Sequence, residues 1–306
     1  MSIALAGMGD AYALASTTCF ASANVLIARG TRPGVQDNGA FVSLLLTAGI
    51  SGLGWLAVGI ARGFEPVTWR AIAWFMGAGV FTAYIGRVFY YASVQHLGAM
   101  RASTMKRLNP FFAVILGVAV LGETLTSGMA IGLACIAASF AVLVNAGRNA
   151  AQPDAASGLR RLFNAGYFYG PVSALGYASG YLLRKMGLDD AHDALLGACV
   201  GTLTGAAIFL ATAAFRPDYA RAVRATFTRP SPWLLAAGAM SSFGQILYFA
   251  ALNVSAMSRV ALISSMEVFV TLFLGFALLR RRESLTGGVA LAAALGVAGT
   301  AAIILA

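Results

Sequence analysis

Residues 108–126 read LNPFFAVILGVAVLGETLT, and residues 266–286 read MEVFVTLFLGFALLRRRESLT. At a shift of 158, Phe111 falls on Phe269 and Leu116-Gly117 on Leu274-Gly275. Two residues later in register, Glu123-Thr-Leu-Thr126 meets Glu283-Ser-Leu-Thr286. Upstream, YYASVQHLGAMR (90–101) lies on YFAALNVSAMSR (248–259) at the same shift, and Phe20-Ala-Ser22 matches Tyr177-Ala-Ser179 at a shift of 157. Shared apolar composition can produce one such match by chance. Four in the same order make the chain a duplication.

What is duplicated follows from the surrounding residues. Apolar runs occur at about 10–28, 40–61, 71–94, 98–121, 126–146, 166–187, 194–215, 233–254, 257–279 and 286–306. Each is near the roughly 20 residues that cross a 30 Å hydrocarbon core as a helix. Without water to satisfy the backbone, each run is expected to be helical, and runs this continuous are not barrel strands. The chain is 59% hydrophobic and 10% charged with a mean hydropathy of +0.79, against about 25% charged residues in soluble domains. Soluble enzymes and disordered chains are thereby excluded.

The expected fold is an all-α membrane protein: ten transmembrane helices as two five-helix repeats, 1–147 and 166–306, joined by a linker at 148–165. An odd number of spans per copy sends the second copy in from the opposite side, so the repeats are inverted, an arrangement that characterises secondary transporters. The first run lacks a basic leader and an A-x-A-like cleavage site, and is read as a retained helix. Loops after odd-numbered runs hold 13 Arg and Lys; those after runs 2, 6 and 8 hold five, Arg62, Arg70, Arg184, Lys185 and Arg259. This bias puts both termini outside. Residues 216–230 place Tyr219, Val223 and Phe227 opposite Arg221 and Arg224, which suits a short helix in the headgroup layer or a solvated basic loop.

Four ionisable residues fall inside the runs: Arg87, Lys106, Arg107 and Glu267. Each costs about 2.5–3.5 kcal/mol at a helix centre, so all should face the bundle interior or water, unless they pair or snorkel. Arg101 and Arg259, near run starts, are read as snorkelling. Pro110 removes the intrahelical donor of the Lys106 carbonyl and is expected to kink the fourth run, with Ser103 and Asn109 on roughly the same face. Across the repeat, Glu267 aligns with Asn109 and Arg87 with Gln245. The sum inside the membrane is three cations and one carboxylate. If Arg107 pairs with Glu267, two cations remain for an anionic group on a cargo; alternatively Glu267 is protonated by burial and carries a coupling proton.

Aromatic and polar side chains complete a candidate pocket. Tyr84, Arg87 and Tyr91 recur at a spacing that would hold a guanidinium between rings. Ser173, Tyr177 and Tyr181 share a face of the sixth run, and Gln245 and Tyr248 neighbour each other in the eighth. Ser16, Thr17, Thr18, Ser22 and Asn24 supply polar groups in the first. Tyrosine at helical spacing also serves packing or an interfacial belt. The candidate substrate-binding set is Lys106, Arg107, Arg87, Glu267, Asn24, Asn109, Tyr84, Tyr177, Tyr181, Gln245 and Tyr248. Gly197, Gly201 and Gly205, with Gly128 and Gly132, form small-residue faces for close helix contact, within the bundle or in a dimer. Glu123 and Glu283 are expected to cap the helix that follows each.

The 5+5 plan and LNPFFAVILGVAVLGETLT resemble the drug/metabolite transporter superfamily in its ten-helix EamA-type form, over essentially the whole chain. Val268 stands where that family usually has a proline, and Arg280-Arg281-Arg282 replaces the usual Leu-Gly before Glu283. Lys106, four residues before Pro110, is similar to the substrate-contacting lysine of plastid sugar-phosphate and nucleotide-sugar carriers, although the ninth run lacks their basic pair. The resemblance implies a multi-pass membrane carrier of small metabolites, commonly amino acids, sugars, nucleotide sugars or drugs, expected in a bacterial inner membrane. The charge sum and the inverted repeats narrow this to a small polar, anionic or zwitterionic metabolite, amino acid-like or a sugar or nucleotide phosphate, moved by alternating access. The alternatives are a lipid-headgroup flippase, or an exporter of hydrophobic or cationic drugs with structural charges. The expected partners are a small-molecule substrate, membrane lipid and a coupling proton at Glu267, in a monomer or homodimer.

Other classes fit poorly. Both histidines and all seven aspartates fall outside the runs or at their edges, so an enzyme's paired carboxylates are missing. There is no phosphate-binding loop for an ATP-driven pump. Cys19, Cys135 and Cys199 lie in apolar runs and offer neither a disulfide framework nor a metal cluster. The net charge of +10 is scattered through loops rather than gathered in a stripe, so nucleic acid is not a partner. No cofactor is expected.

Overall fold

This computed structural model describes residues 3–30, 39–86, 89, 108–150, 165–228, 231–279 and 287–305, and every element among them is helical. In chain order they are α1 (Ile3–Gly30), α2 (Ala40–Arg62), α3 (Trp69–Gly79), which widens into a π-helical stretch Val80–Gly86, α4 (Asn109–Leu121), α5 (Ser127–Ala150), α6 (Ala165–Asp190), α7 (Ala194–Phe215), α8 (Pro217–Thr228), α9 (Pro232–Val254), α10 (Met257–Ser264), α11 (Glu267–Leu279) and α12 (Gly287–Ile304). Four stretches among the described residues are long and apolar enough to cross a membrane: α2, α7, α9 and Met257–Gly275 across α10 and α11. Shorter apolar stretches are Asn109–Leu121, Ser127–Val142 and Ala290–Ile304. The 28-residue α1 and 26-residue α6 have the length to span. Their hydropathy is diluted by Ser, Thr, Asn, Tyr and charged residues, several of which point inward.

One of the expected runs is not a single helix. It is the ninth, which breaks at Ser265–Met266, where the amides of Ser265 and Met266 bond the carbonyls of Leu262 and Ile263, each at 3.1 Å. These tight i→i+3 bonds end α10, and α11 restarts at Glu267. α4 likewise starts at Asn109, with Pro110 in its first turn, where a missing N–H leaves nothing unsatisfied. Asn109 and Glu267 are the aligned positions of the two copies. The second copy thus restarts its helix at the register of the first, without a proline. α8 is the short helix expected between the seventh and eighth runs. Its Tyr219 and Val223 pack on a cluster of Phe41, Leu44, Ala206 and Phe209, with the rings of Tyr219 and Phe209 4.8 Å apart, while Arg221 and Arg224 stay exposed.

Helices of the first half pack on helices of the second, and the pairing is reciprocal. α1 lies along α9, as α3 lies along α6; α2 touches α7 and α9, as α7 touches α2 and α3. α5 pairs with α12, and α4 contacts both α6 and α10. Small residues allow the closest of these approaches. A Cβ on Gly79 of α3 would stand 2.4 Å from the Gly201 carbonyl oxygen of α7, and one on Gly132 of α5 would stand 2.3 Å from Ile303 of α12. The small-residue faces read from the sequence therefore serve contacts inside the bundle. A continuous core runs through Phe75, Leu188, Phe249, Leu252, Met257, Leu262 and Ile263.

Candidate functional site

The break before α11 puts Glu267 in the first turn of a helix, where the positive end of the peptide dipoles favours a carboxylate. Its Oε1 accepts a 2.7 Å hydrogen bond from Nδ2 of Asn24 on α1. Two residues from the candidate set, 243 positions apart and on opposite halves, are thus brought together. Near Glu267 in sequence are buried polar atoms without a hydrogen-bond partner among the described residues: Oγ of Ser264, three residues before it, and Oγ1 of Thr271, one turn after it. Asn109, at the aligned position on α4, is half-buried with its Oδ1 in the same condition.

A second constellation lies on α6, where Tyr177, Tyr181 and Arg184 follow each other at i, i+4 and i+7 on one face. Tyr177 packs on Gly86 at the end of the π-helical stretch, where a Cβ would stand 3.0 Å from the ring. The ring of Tyr181 stacks on that of Tyr248 from α9 at 4.8 Å. Arg184 is 6% exposed, its guanidinium 5.3 Å from the Tyr181 ring centre and 4.9 Å from that of Phe249. It donates to Thr82 Oγ1 at 3.3 Å and, with the Gln245 amide oxygen turned toward it, to Gln245 at 2.7 and 3.2 Å. Tyr248 is 2% exposed and its hydroxyl has no partner among the described residues. Tyr84 is 41% exposed and stands outside this cluster.

Arg184 corrects the sequence reading, which counted it as a loop charge. α6 continues through Asp190, so Arg184 and its neighbour Lys185 both sit inside the helix, and the loop count on their side falls by two without reversing the bias. The signal was available: it continues the Tyr177–Tyr181 face by one turn. Arg87, Lys106 and Arg107 lie outside the described residues, as do Tyr91, Arg101, Ser103 and Glu283.

Three further readings change. Arg259 does not snorkel: its Nε and Nη2 donate to Asp10 at 2.7 and 2.8 Å, and Nη2 also reaches the Ile304 carbonyl at 3.0 Å. Asp10, read at a span edge, is 5% exposed inside α1. Glu123 caps a helix other than the one that follows it. Its carboxylate accepts the amides of Met257 and Ser258 at 2.6 and 2.9 Å, together with the Ser258 hydroxyl, at the start of α10. The following helix, α5, takes its cap from Thr126, whose Oγ1 accepts the Met129 amide at 3.2 Å.

Several polar side chains on the candidate faces are occupied within the helices. Ser16 bonds the Gly244 carbonyl and Ser173 the Gly86 carbonyl, while Thr17, Thr18 and Ser22 bond carbonyls of their own helix. α1, α11 and α12 with Met266 frame a mainly apolar groove of about 260 Å³ that includes Thr17, Thr18 and Thr300. Among the described residues no cluster of His, Cys, Asp or Glu is arranged to hold a metal ion. At the end of α6, a hydrogen bond from Arg70 holds the Asp190 carboxyl below its ordinary range.

Against known proteins, the model of the EamA-like transporter family matches residues 7–145 and again residues 164–305. Among solved structures, one crystal structure is similar over 98% of this chain and 96% of its own, at 20% identity and a TM-score of 0.65, a likeness of fold. No curated protein matches the chain.

Proposed function

The chain belongs to the EamA-like transporter family, membrane transporters of small molecules, and from that premise we propose that it is a secondary carrier of a small polar, anionic or zwitterionic solute. In this reading ten spans form two inverted five-helix repeats, residues 1–147 and 166–306, which rock about a site near the bilayer midplane. The reciprocal packing of the halves supports that plan, because exchanging the copies leaves the pattern of neighbours unchanged.

The observation that carries the reading is the Asn24–Glu267 hydrogen bond, at 2.7 Å, between α1 and the restart of a broken helix. Interrupted helices whose ends meet polar side chains are where such carriers hold substrates and coupling ions. Glu267 is in place to receive a cationic group of the cargo or a coupling proton. The cations of the third and fourth runs, Arg87, Lys106 and Arg107, supply the opposite charge.

Counterflow in proteoliposomes tests this. Saturable exchange of a labelled amino acid or sugar phosphate, accelerated by unlabelled solute on the far side, is the expected result. Leakage without counterflow sinks it. Asn24→Ala should lower exchange about tenfold or more while changing stability by no more than about 1 kcal/mol, since Asn24 is exposed.

A lipid-like cargo is the second reading, favoured by the mainly apolar groove between α1, α11 and α12. Scrambling of a fluorescent phospholipid that depends on Thr17 and Thr300 would support it over the soluble solute.

A further inference from the structure

We propose that Arg184, with Gln245 and the Tyr248 hydroxyl, is the seat for a carboxylate on the cargo. The proposal rests on the transport reading above and adds to it a site of a different composition from the Asn24–Glu267 pair.

A guanidinium carries five N–H donors and a charge that titrates only far above physiological pH. Arg184 is buried among α3's π-helical extension, α6 and α9, and its partners among the described residues are two neutral side chains, Thr82 and Gln245. No carboxylate forms an ion pair with it there. Burying a charge without a counterion costs several kcal/mol, and Arg259, also largely buried, shows the usual remedy in its bidentate contact with Asp10. Ring faces of Tyr181 and Phe249 offset part of that cost for Arg184, but they do not neutralise it.

The second observation is independent of the first. The Tyr248 hydroxyl is fully buried with no hydrogen-bond partner among the described residues, although buried tyrosine hydroxyls usually find one. It lies within electrostatic reach of Arg184, and its ring stacks on Tyr181, which also carries the guanidinium. A donor and a cation that both lack a counterpart among the described residues share one interior, and the same group would satisfy both, an anion with at least two acceptor oxygens. The charge selects among anions: one guanidinium balances a carboxylate, whereas a phosphate monoester brings about two negative charges. A carboxylate accepts from a guanidinium through two parallel bonds, leaving a lone pair for a phenol.

The test uses purified full-length protein and pyruvate, L-alanine, L-leucine and L-phenylalanine as probes, each beside its carboxamide, with inorganic phosphate as a further anion. Thermal stabilisation by at least one carboxylate, with its carboxamide about 10- to 100-fold weaker, is expected. Arg184→Gln should abolish the difference between acid and amide, and Tyr248→Phe should weaken the acid about five- to tenfold while preserving the packed ring. Should Arg184→Gln fail to fold, Arg184→Lys keeps the charge but loses the two-pronged contact, and is expected to bind about tenfold more weakly. Stabilisation by none of the carboxylates, equal binding of acid and amide, preference for phosphate, or wild-type affinity in a folded Arg184 variant each overturns the proposal. Counterflow separates the two readings. Carboxylate binding without exchange leaves the seat and removes the carrier; exchange indifferent to Arg184 and Tyr248 removes the seat and leaves the carrier.

Discussion

Asp10 and Arg259 show what an ionised side chain requires in this interior. Each is largely buried, and two parallel hydrogen bonds match the guanidinium to the carboxylate. Removing one partner strands the other, so Asp10→Asn should destabilise the protein by about 3–5 kcal/mol. Replacing both, as Asp10→Leu with Arg259→Met, should cost less than the single change. Chemical unfolding of the four proteins of this cycle in mild detergent checks the prediction, and a double variant worse than both singles would refute it. Among the described residues Arg184 has no such partner, which sets it apart from Arg259.

At the scale of elements, the caps and the close approaches decide which helices meet. Glu123 ends α4 yet caps α10, tying the first half to the second. Glu123→Ala should cost about 0.5–2 kcal/mol, and Thr126→Ala, which uncaps α5, a similar amount. The two should add within a few tenths of a kcal/mol because the caps serve different helices; melting curves of the singles and the double measure this. Glycines divide just as sharply. Gly79→Ala forces a methyl against the backbone of α7 and should destabilise by about 1–3 kcal/mol. Gly275→Ala meets open space on α11 and should be neutral or stabilising by about 0.5–1 kcal/mol. Equal melting temperatures for those two variants would contradict the packing described.

Across the whole molecule, several polar ties between segments distant in sequence meet around residues 253–259. Asp10 holds Arg259 and Glu123 holds Met257 and Ser258; Asn253 bonds the His192 carbonyl, two residues from the Arg70–Asp190 pair. Because the bond from Arg70 lowers the Asp190 pKa in the folded protein, its stabilisation is complete above the ordinary aspartate value of about 3.9 and is lost as pH falls through the depressed native value. The melting-temperature difference between wild type and Asp190→Asn should therefore be constant above about pH 5 and shrink as the pH drops below about 4. A difference that grows on acidification would reverse the sign and exclude this pair as its cause.

The duplicated, all-helical character of the chain was written in its composition and in the two aligned stretches, because apolar runs and their register are properties of neighbours in sequence. Asn24, Glu267, Tyr181, Gln245 and Tyr248 could be chosen as candidates for the same reason: a polar side chain in an apolar run is conspicuous without coordinates. Tertiary structure alone decided their partners. That Glu267 meets Asn24, that Glu123 caps α10 rather than α5, and that Arg184 is interior while Arg259 is paired all depend on contacts between segments more than 100 residues apart, or on how far a helix continues past its apolar run. Local patterning sets which way a residue must face, but only the packing of one half against the other sets what it finds there.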